Sequence, residues 1–278
     1  MQPQSLSAFS RGTQGGNAAG VVIGDVLPDP ATMQAIAKSL GHSETAFAAP
    51  LGKSWQVRYF APDAEVAFCG HATIALGAAM GAKFGEGIYQ LSLSESEISV
   101  AASKTPDGWV ASLQSPRTWS KPLPDDLAQR LLSLFNLSQA DLDDRLPPTL
   151  GFAGVRHAIF VLRSRSRLAQ MAYDFDAMRA VMAAADLTTV SLLFIASKTG
   201  FVARNAFAIG GVVEDAATGA AAAALGGALV DQGWSGLRSG GAFTILQGDD
   251  MGSPSTLQVE VTGTPGDSVR VSGSVYII

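Results

Sequence analysis

The sequence predicts an α+β protein made of two pseudo-symmetric halves, each a curved, mostly antiparallel sheet wrapped around a central buried helix. Segments of alternating apolar and polar residues recur along the chain, and helical patterns and hairpin-length turns separate them. An Ala/Gly-rich segment at 69–80 also returns at 218–229, with six identical residues at matched positions. Mixed strands and helices indicate the α+β class, and the internal echo indicates two halves of similar build.

Strands are predicted where alternation and β-branched or aromatic content coincide. A first helix is expected after Asp29, because Asp29-Pro30 supplies an N-cap and a first-turn proline, and Gly41 supplies a C-terminal stop. Further helices are expected at 125–135 and 174–185. The predicted strands lie at 56–62, 89–94, 97–101, 109–115, 156–163, 190–197, 201–207, 242–247, 257–262 and 269–277.

The two echoed segments are apolar nearly all round, so each is expected to form a helix surrounded by protein. The first turn of such a helix leaves backbone N–H groups unpaired, and Gly70 and Gly219 stand there. If the two helix starts face one another, they form a site for a carboxylate. The alternative is that both glycines serve only tight turns.

Two proline-rich stretches, 115–124 and 145–154, indicate a boundary between the halves. We place the first domain at 1–118 and the second at 119–267.

The composition excludes several classes of protein. The 278 residues are 47% hydrophobic and 15% charged, with a net charge of −5, which excludes dominant disorder and any general attraction to nucleic acid or anionic membranes. One cysteine excludes an internal disulfide. Without a signal-like or membrane-spanning run, a cytoplasmic location is expected. No metal site or nucleotide cofactor is expected, because metal-ligand spacings and phosphate-binding loops are absent from the sequence.

Four stretches carry a resemblance to a known family: GGNAAGVV (15–22), SETAF (43–47), VRYFAPDAEVAFCGHAT (57–73) and EDAATGAA (214–221). On these residues the chain resembles the phenazine biosynthesis PhzF-like family, which shares its fold with diaminopimelate epimerase. The resemblance implies two pseudo-symmetric domains with the active site in the cleft between them. It also implies a homodimer, and a final strand at 268–278 that completes the sheet of the first domain.

The implied activity is that of an isomerase acting on a small carboxylic acid without metal or cofactor. It would be similar to trans-2,3-dihydro-3-hydroxyanthranilate isomerase, which moves a proton between carbons. Two alternatives stay open. One is an amino-acid racemase or epimerase with two opposed bases, and the other is a non-catalytic protein of the same fold that binds a small acid.

Glu44 occupies the family's acid–base position in SETAF. A carboxyl group enclosed by protein has a raised pKa, which suits it to both accept and donate a proton near neutrality. Without the motif, Ser43-Glu44 would be interpreted as a helix cap followed by a solvated charge.

The resemblance assigns substrate contacts to His71 at the start of the first central helix and to Asp215 before the second. The alternatives are a histidine satisfied by backbone carbonyls and an aspartate that only stabilises a helix N-terminus. Asn17 is expected in the GGNAAG turn, where it binds substrate or supports an Asx-turn. The full predicted set of substrate-binding residues is Asn17, Gly70, His71, Asp215, Thr218 and Gly219.

The sequence departs from the family pattern at two places. Ala220 replaces a serine that often contacts substrate, and Ala216 replaces the usual proline. Cys69 aligns with one of the two thiols of diaminopimelate epimerase, whereas the position of the second thiol holds Thr218. A two-thiol mechanism is therefore disfavoured, and we interpret Cys69 as a small buried hydrophobe. Glu65 and Glu214 are expected as structural partners of Arg58 and Arg204.

Overall fold

A computed structural model describes residues 2–94 and 96–278. Its contacts separate two compact units, Met1–Gln114 with Ser272–Ile278, and Ser115–Val271. Each unit mixes strands and helices, which confirms the α+β class. In the part of the chain so described, no helix has the length and apolar character needed to cross a bilayer.

The first unit consists of strands around two helices. Helix α1 joins two parallel strands, and the longer α2 precedes the last hairpins. In chain order the elements are β1 (Gln4–Ser10), β2 (Asn17–Ile23), α1 (Pro30–Leu40), β3 (Glu44–Leu51), β4 (Ser54–Phe60), β5 (Glu65–Val66), α2 (Gly70–Phe84), β6 (Gly87–Ser92), β7 (Glu97–Thr105) and β8 (Gly108–Arg117), whose last residues extend past Gln114.

The second unit has more helices on its outside. Its elements are β9 (Trp119–Pro122), α3 (Asp125–Leu134), β10 (Thr149–Phe152), β11 (Arg156–Leu162), α4 (Arg165–Ala169), α5 (Phe175–Ala184), β12 (Thr189–Ser197), β13 (Gly200–Ala206), β14 (Glu214–Asp215), α6 (Gly219–Asp231), β15 (Gly241–Gln247), β16 (Ser255–Val261) and β17 (Ser268–Ile277). The last residues of β17 belong to the first unit, where they pair antiparallel with β1.

Strand pairing follows the same order in both units. In the first unit, β1 pairs antiparallel with β2, β2 parallel with β3, β3 antiparallel with β4, β4 parallel with β6, and β6 antiparallel with β7. The series β10, β11, β12, β13, β15 and β16 repeats these relations one by one. Each parallel pair is connected through a helix, as a parallel crossover requires. The echo in the sequence therefore reflects a repeated topology.

A buried helix lies at the centre of each unit. Helix α2 packs against β1, β2, β3 and β7, and α6 packs against β9, β10, β11 and β16, so each helix touches strands from both ends of its pairing order. Glycine is needed for this approach. A Cβ atom on Gly77 would lie 2.5 Å from Cγ2 of Val100, and one on Gly226 would lie 3.2 Å from Cγ1 of Val261. The predicted enclosure of both helices is confirmed.

The cap signals of α1 act as the sequence predicts. Asp29 Oδ1 accepts hydrogen bonds from the N–H groups of Ala31 (3.0 Å) and Thr32 (3.1 Å). These bonds, with a further one from the Thr32 hydroxyl, lower the pKa of Asp29. Gly41 ends the helix with φ 70°, and its N–H donates to the carbonyl of Ala37 at 3.1 Å. A left-handed C-cap of this kind favours glycine.

All ten predicted strands are present, with limits shifted by a few residues, but several further strands were not predicted. Strands β2 and β3 are rich in Ala, β2 contains Gly20 and β3 contains Pro50, and all three residue types have poor strand propensity. Burial against α2 overrides that propensity. Because Glu44 begins β3, the interpretation of Ser43-Glu44 as a helix cap is wrong.

Candidate functional site

The first functional segment is the start of β3. After the left-handed turn at Gly41, the chain enters β3 beside β2, where Glu44 stands opposite Ala19 in parallel register. The Glu44 side chain retains 20% of its exposure. The next residue, Thr45, is fully buried beneath Gly20, where a Cβ atom would lie 2.4 Å from Thr45 Oγ1. The strand therefore holds Glu44 on a backbone with little freedom to shift.

The second functional segment is the start of α2. Cys69 is the N-cap residue, and its carbonyl accepts hydrogen bonds from both the N–H (3.0 Å) and the hydroxyl (2.7 Å) of Thr73. Tyr59, buried in β4, places its hydroxyl 2.6 Å from the Thr73 hydroxyl, and burial raises the pKa of Tyr59. These buried hydrogen bonds fix the first turn of α2, and the fixed turn sets the orientation of the Cys69 and His71 side chains.

Glu44, Cys69 and His71 form a compact group, which we call the Glu44 cluster. Glu44 Oε2 lies 3.4 Å from Cys69 Sγ and 3.3 Å from His71 Nε2. Cys69 Sγ is also 3.4 Å from His71 Nδ1, and Ser43 Oγ is 3.1 Å from His71 Nε2. Glu44 and His71 are thus in contact, and His71 is bonded by side chains. Cys69 is a polar member of the cluster, which its interpretation as a plain hydrophobe missed.

The same three side chains are of metal-ligand type. One carboxylate oxygen, one sulfur and one ring nitrogen lie within 4.8 Å of one another. The expectation of no metal site rested on spacing along the chain, and folding brings Glu44 to residues that follow it by about 25 positions. Thiol, imidazole and carboxylate suit a soft divalent ion such as Zn²⁺. As hydrogen-bonded groups they equally suit proton transfer, with the thiol donating to the carboxylate.

Gly70 and Asn17 are the other predicted residues of the first unit. A Cβ atom on Gly70 would meet nothing closer than the Phe68 ring at 4.0 Å, so a ligand has room to approach this part of the backbone. Asn17 is 8% exposed and begins β2 opposite Ala8, whereas Gly15 and Gly16 with positive φ form the preceding turn. The predicted turn position of Asn17 is therefore corrected to the first residue of a strand.

An Arg–Glu pair anchors the segment before each central helix. Arg58 Nη2 and Glu65 Oε2 are 2.6 Å apart, and the pair is half-exposed. Arg204 Nη2 and Glu214 Oε2 are 2.5 Å apart, and this pair is buried. In each case the hydrogen bonds to the glutamate raise the pKa of the arginine. The structural pairing expected from the sequence is confirmed in both halves.

In the second unit, Asp215 and Thr218 lie together just before α6. The Thr218 hydroxyl donates to Asp215 Oδ2 at 2.6 Å, and Gly219 begins the helix. Gln247, at the end of β15, is 1% exposed, and its Nε2 donates to the Asp215 carbonyl at 2.8 Å and to Thr218 Oγ1 at 3.1 Å. We call Asp215, Thr218 and Gln247 the Asp215 cluster. The sequence contains no motif that singles out Gln247.

A line of buried polar residues extends from Gln247 to His157. Gln247 Oε1 accepts from Asn205 Nδ2 at 3.1 Å, and Asn205 Oδ1 accepts from the Thr189 hydroxyl at 3.4 Å and from the Ser191 hydroxyl. His157 Nδ1 lies 2.7 Å from the Thr189 hydroxyl, whereas Nε2 has no hydrogen-bond partner in the described part of the chain. Complete burial lowers the pKa of His157 from 6.5 to about 3.

The lowered pKa of His157 predicts a loss of stability in acid. Below pH 6.5 the unfolded chain protonates this imidazole, but the folded chain does not until about pH 3. Between pH 6.5 and 5, His157 alone is expected to reduce the free energy of unfolding by about 1.7 kcal/mol, because the slope rises from about half of 1.4 kcal/mol per pH unit at pH 6.5 to nearly the full value at pH 5. Urea denaturation of the wild type and of His157→Asn across this range measures the difference. Equal pH slopes for the two proteins would contradict the prediction.

Comparison with known proteins identifies relatives of the whole chain. The chain is 29% identical over 299 residues to an uncharacterized isomerase of Salmonella typhimurium, with 100% of this chain and 97% of that protein covered. Among solved structures, a PhzF-family protein of Bacillus anthracis superposes with a TM-score of 0.87 at 19% identity, covering 100% of this chain and 98% of the other. A predicted epimerase of Pseudomonas aeruginosa gives 0.84 at 26%, covering 99% and 96%.

The fold is also that of racemases. A probable proline racemase of Agrobacterium radiobacter superposes with a TM-score of 0.65 at 12% identity, covering 99% of this chain and 90% of that one. The profile of the family described as phenazine biosynthesis-like protein, PhzC-PhzF, matches residues 6–278. This match spans nearly all of both units, so the chain belongs to the PhzC-PhzF family of phenazine biosynthesis-like proteins.

Proposed function

We propose that this protein is an isomerase that moves a proton between two carbons of a small carboxylic acid, with Glu44 as the acid–base group. The observation that carries the proposal is the position of the Glu44 carboxylate, which is mostly buried and in contact with a thiol and an imidazole. Membership of a family whose relatives include named isomerases supports the same reaction class. We propose that no metal or organic cofactor takes part.

In the proposed reaction, Glu44 removes a proton from a carbon next to an activating group. The C–H bond breaks, and its electron pair moves into the adjacent conjugated system. Glu44 then returns the proton to another carbon, so the product is an isomer and no co-reactant is consumed. The contacts of the carboxylate with Cys69 and His71 fall on Oε2, and we therefore assign the proton transfer to Oε1.

For substrate binding we propose the residues inferred from the family motifs. His71 and the backbone at Gly70 contribute from the first unit, where the first-turn N–H groups of α2 favour an anionic group. Asp215 and Thr218 contribute hydrogen bonds from the second unit, and the backbone at Gly219 contributes as Gly70 does. Asn17 completes the set. We further propose a cytoplasmic homodimer that acts on free small acids.

A racemase or epimerase is the second candidate. Cys69 lies within hydrogen-bonding distance of Glu44, and the Thr218 hydroxyl is bonded to the Asp215 carboxylate. Each cluster therefore holds a carboxylate beside a second proton-bearing group, and a two-base reaction needs one proton-transferring group on each side of the reacting carbon. A protein that only binds a small acid is the third candidate, because Ala220 lacks the hydroxyl that is usual in the family.

One experiment separates the three candidates. The purified protein is incubated in D₂O with a panel of cyclic and amino-acid-like carboxylic acids, and ¹H NMR follows each acid. A constitutional isomer as product supports the proposal. Deuterium entering a carbon that inverts, with constitution unchanged, supports the racemase. Binding of an acid without turnover or exchange supports the binder. Either of the last two results, with no isomer from any acid, overturns the proposed function.

A further inference from the structure

Gln247 is a buried polar residue whose amide makes hydrogen bonds on both sides. Nε2 donates to the Asp215 carbonyl (2.8 Å) and to Thr218 Oγ1 (3.1 Å). Oε1 accepts from the Thr218 N–H (3.3 Å) and from Asn205 Nδ2 (3.1 Å). Such complete pairing is what a side chain with 1% exposure requires.

The network admits only one orientation of this amide. Rotating the Gln247 amide by 180° would turn Nε2 toward the Thr218 N–H and set donor against donor. It would also turn Oε1 toward the Asp215 carbonyl and set acceptor against acceptor. The backbone groups of Asp215 and Thr218 therefore fix which end of the amide donates.

That orientation decides the direction of the Thr218 hydroxyl. Because the Gln247 NH₂ group only donates, Thr218 Oγ1 accepts from it. The hydroxyl proton is then directed to Asp215 Oδ2, 2.6 Å away. A charge-assisted bond of this kind is among the stronger hydrogen bonds of proteins. Asp215 Oδ2 is consequently held as an acceptor.

Asn205 holds the oxygen end of the Gln247 amide by a hydrogen bond. Its Nδ2 donates to Gln247 Oε1, and its Oδ1 accepts from the hydroxyls of Thr189 and Ser191. Since Thr189 donates to Asn205, it accepts from the His157 Nδ1–H, which places a ring proton of His157 on Nδ1. Along this line of buried residues, each hydrogen bond is therefore donated in the direction from His157 toward Asp215.

We propose that Gln247 is a positioning residue, which sets the Thr218 hydroxyl as a donor and so presents the Asp215 carboxylate to substrate as a fixed acceptor. This inference rests on the role in substrate binding that the proposed function gives to Asp215. Gln247 acts through Thr218 and Asp215 and makes no contact with the reacting atoms.

The first test is the variant Gln247→Glu, which keeps the shape of the side chain and one acceptor oxygen but replaces the donating NH₂ group with oxygen. We expect KM for the acid to rise by about 10-fold or more with kcat changed by no more than about threefold, as loss of uniform binding predicts. Gln258→Glu is the matched control. Gln258 is exposed on β16 and is also hydrogen-bonded to a threonine hydroxyl, that of Thr244 at 3.0 Å. We expect the Gln258→Glu variant to keep the wild-type KM.

A second pair of variants covers the case in which Gln247→Glu does not fold. Thr218→Val keeps the shape without the hydroxyl, and Thr218→Ser keeps the hydroxyl. The valine variant is expected to reproduce the rise in KM, and the serine variant to restore the wild-type KM. The proposal is overturned if Thr218→Val retains the wild-type KM, or if the serine variant is impaired as much as the valine variant.

A measurement without ligand separates this inference from the proposed function. In the ¹⁵N-labelled protein, the side-chain amide protons of Gln247 are expected to be protected from exchange. Their signals should shift in Thr218→Val and stay in place in Thr218→Ser. Protected signals in a protein that turns over no acid would overturn the proposed function alone. Rapid exchange of these protons would overturn the inference whatever the activity.

Discussion

Glu44→Gln is expected to reduce kcat by at least about 100-fold, because general acid–base groups contribute about 10²–10⁴-fold and an amide neither removes nor returns a proton. The substitution preserves the size of the side chain, so KM should change by no more than a few-fold. Glu97→Gln is the control, since Glu97 also begins a strand but is exposed. Steady-state kinetics on the acid found in the D₂O panel measure both variants.

The result also tests which member of the Glu44 cluster moves the proton. Cys69 Sγ lies 3.4 Å from the Glu44 carboxylate, so the thiol is the nearest competitor for the role. If Glu44→Gln retains the wild-type kcat while Cys69→Ala abolishes turnover, the acid–base group is the thiol and our assignment is wrong.

Arg204→Met is expected to lower the free energy of unfolding by about 3–5 kcal/mol, the usual effect of leaving one partner of a buried ion pair alone. Glu214 keeps 4% of its side-chain exposure and would lose its three hydrogen bonds from Arg204. The repeat supplies the control. Arg58→Met breaks the half-exposed Arg58–Glu65 pair, for which about 0–1 kcal/mol is expected. Urea denaturation measures both proteins.

Two further results bear on this prediction. Arg204→Met combined with Glu214→Met removes both charges and should recover most of the lost stability, because no uncompensated charge stays buried. Equal destabilisation by Arg204→Met and Arg58→Met would show that burial does not distinguish the two pairs, contrary to the structure.

The parts of the fold that were predictable carry local signals. Helix α1 has a capping aspartate, a first-turn proline and a glycine stop, and all three act in the structure. The two central helices follow from their lack of a polar face. Strands β2 and β3 carry no such signal, because their alanines have poor strand propensity and form strands only through burial. The repeated pairing order is a property of long-range contacts, which the sequence echo indicates only in outline.

The residues of the candidate site also differ in whether a local signal in the sequence identifies them. Glu44, His71, Asp215 and Thr218 stand in motifs, so the resemblance identifies them. Gln247 and Asn205 stand in ordinary strand sequences, and only folding brings their amides together. Cys69 was interpreted by its alignment and small size, which say nothing about the carboxylate that the start of β3 places beside it.

The central claim is that the Glu44 carboxylate meets the carbon whose proton moves. The most direct test is a crystal structure of the Glu44→Gln variant with its acid bound, since this variant should hold substrate without converting it. The account predicts the residue 44 side-chain amide within about 3–3.5 Å of that carbon, the separation of a near-attack geometry. An acid bound in full occupancy without contact to residue 44 would contradict the account.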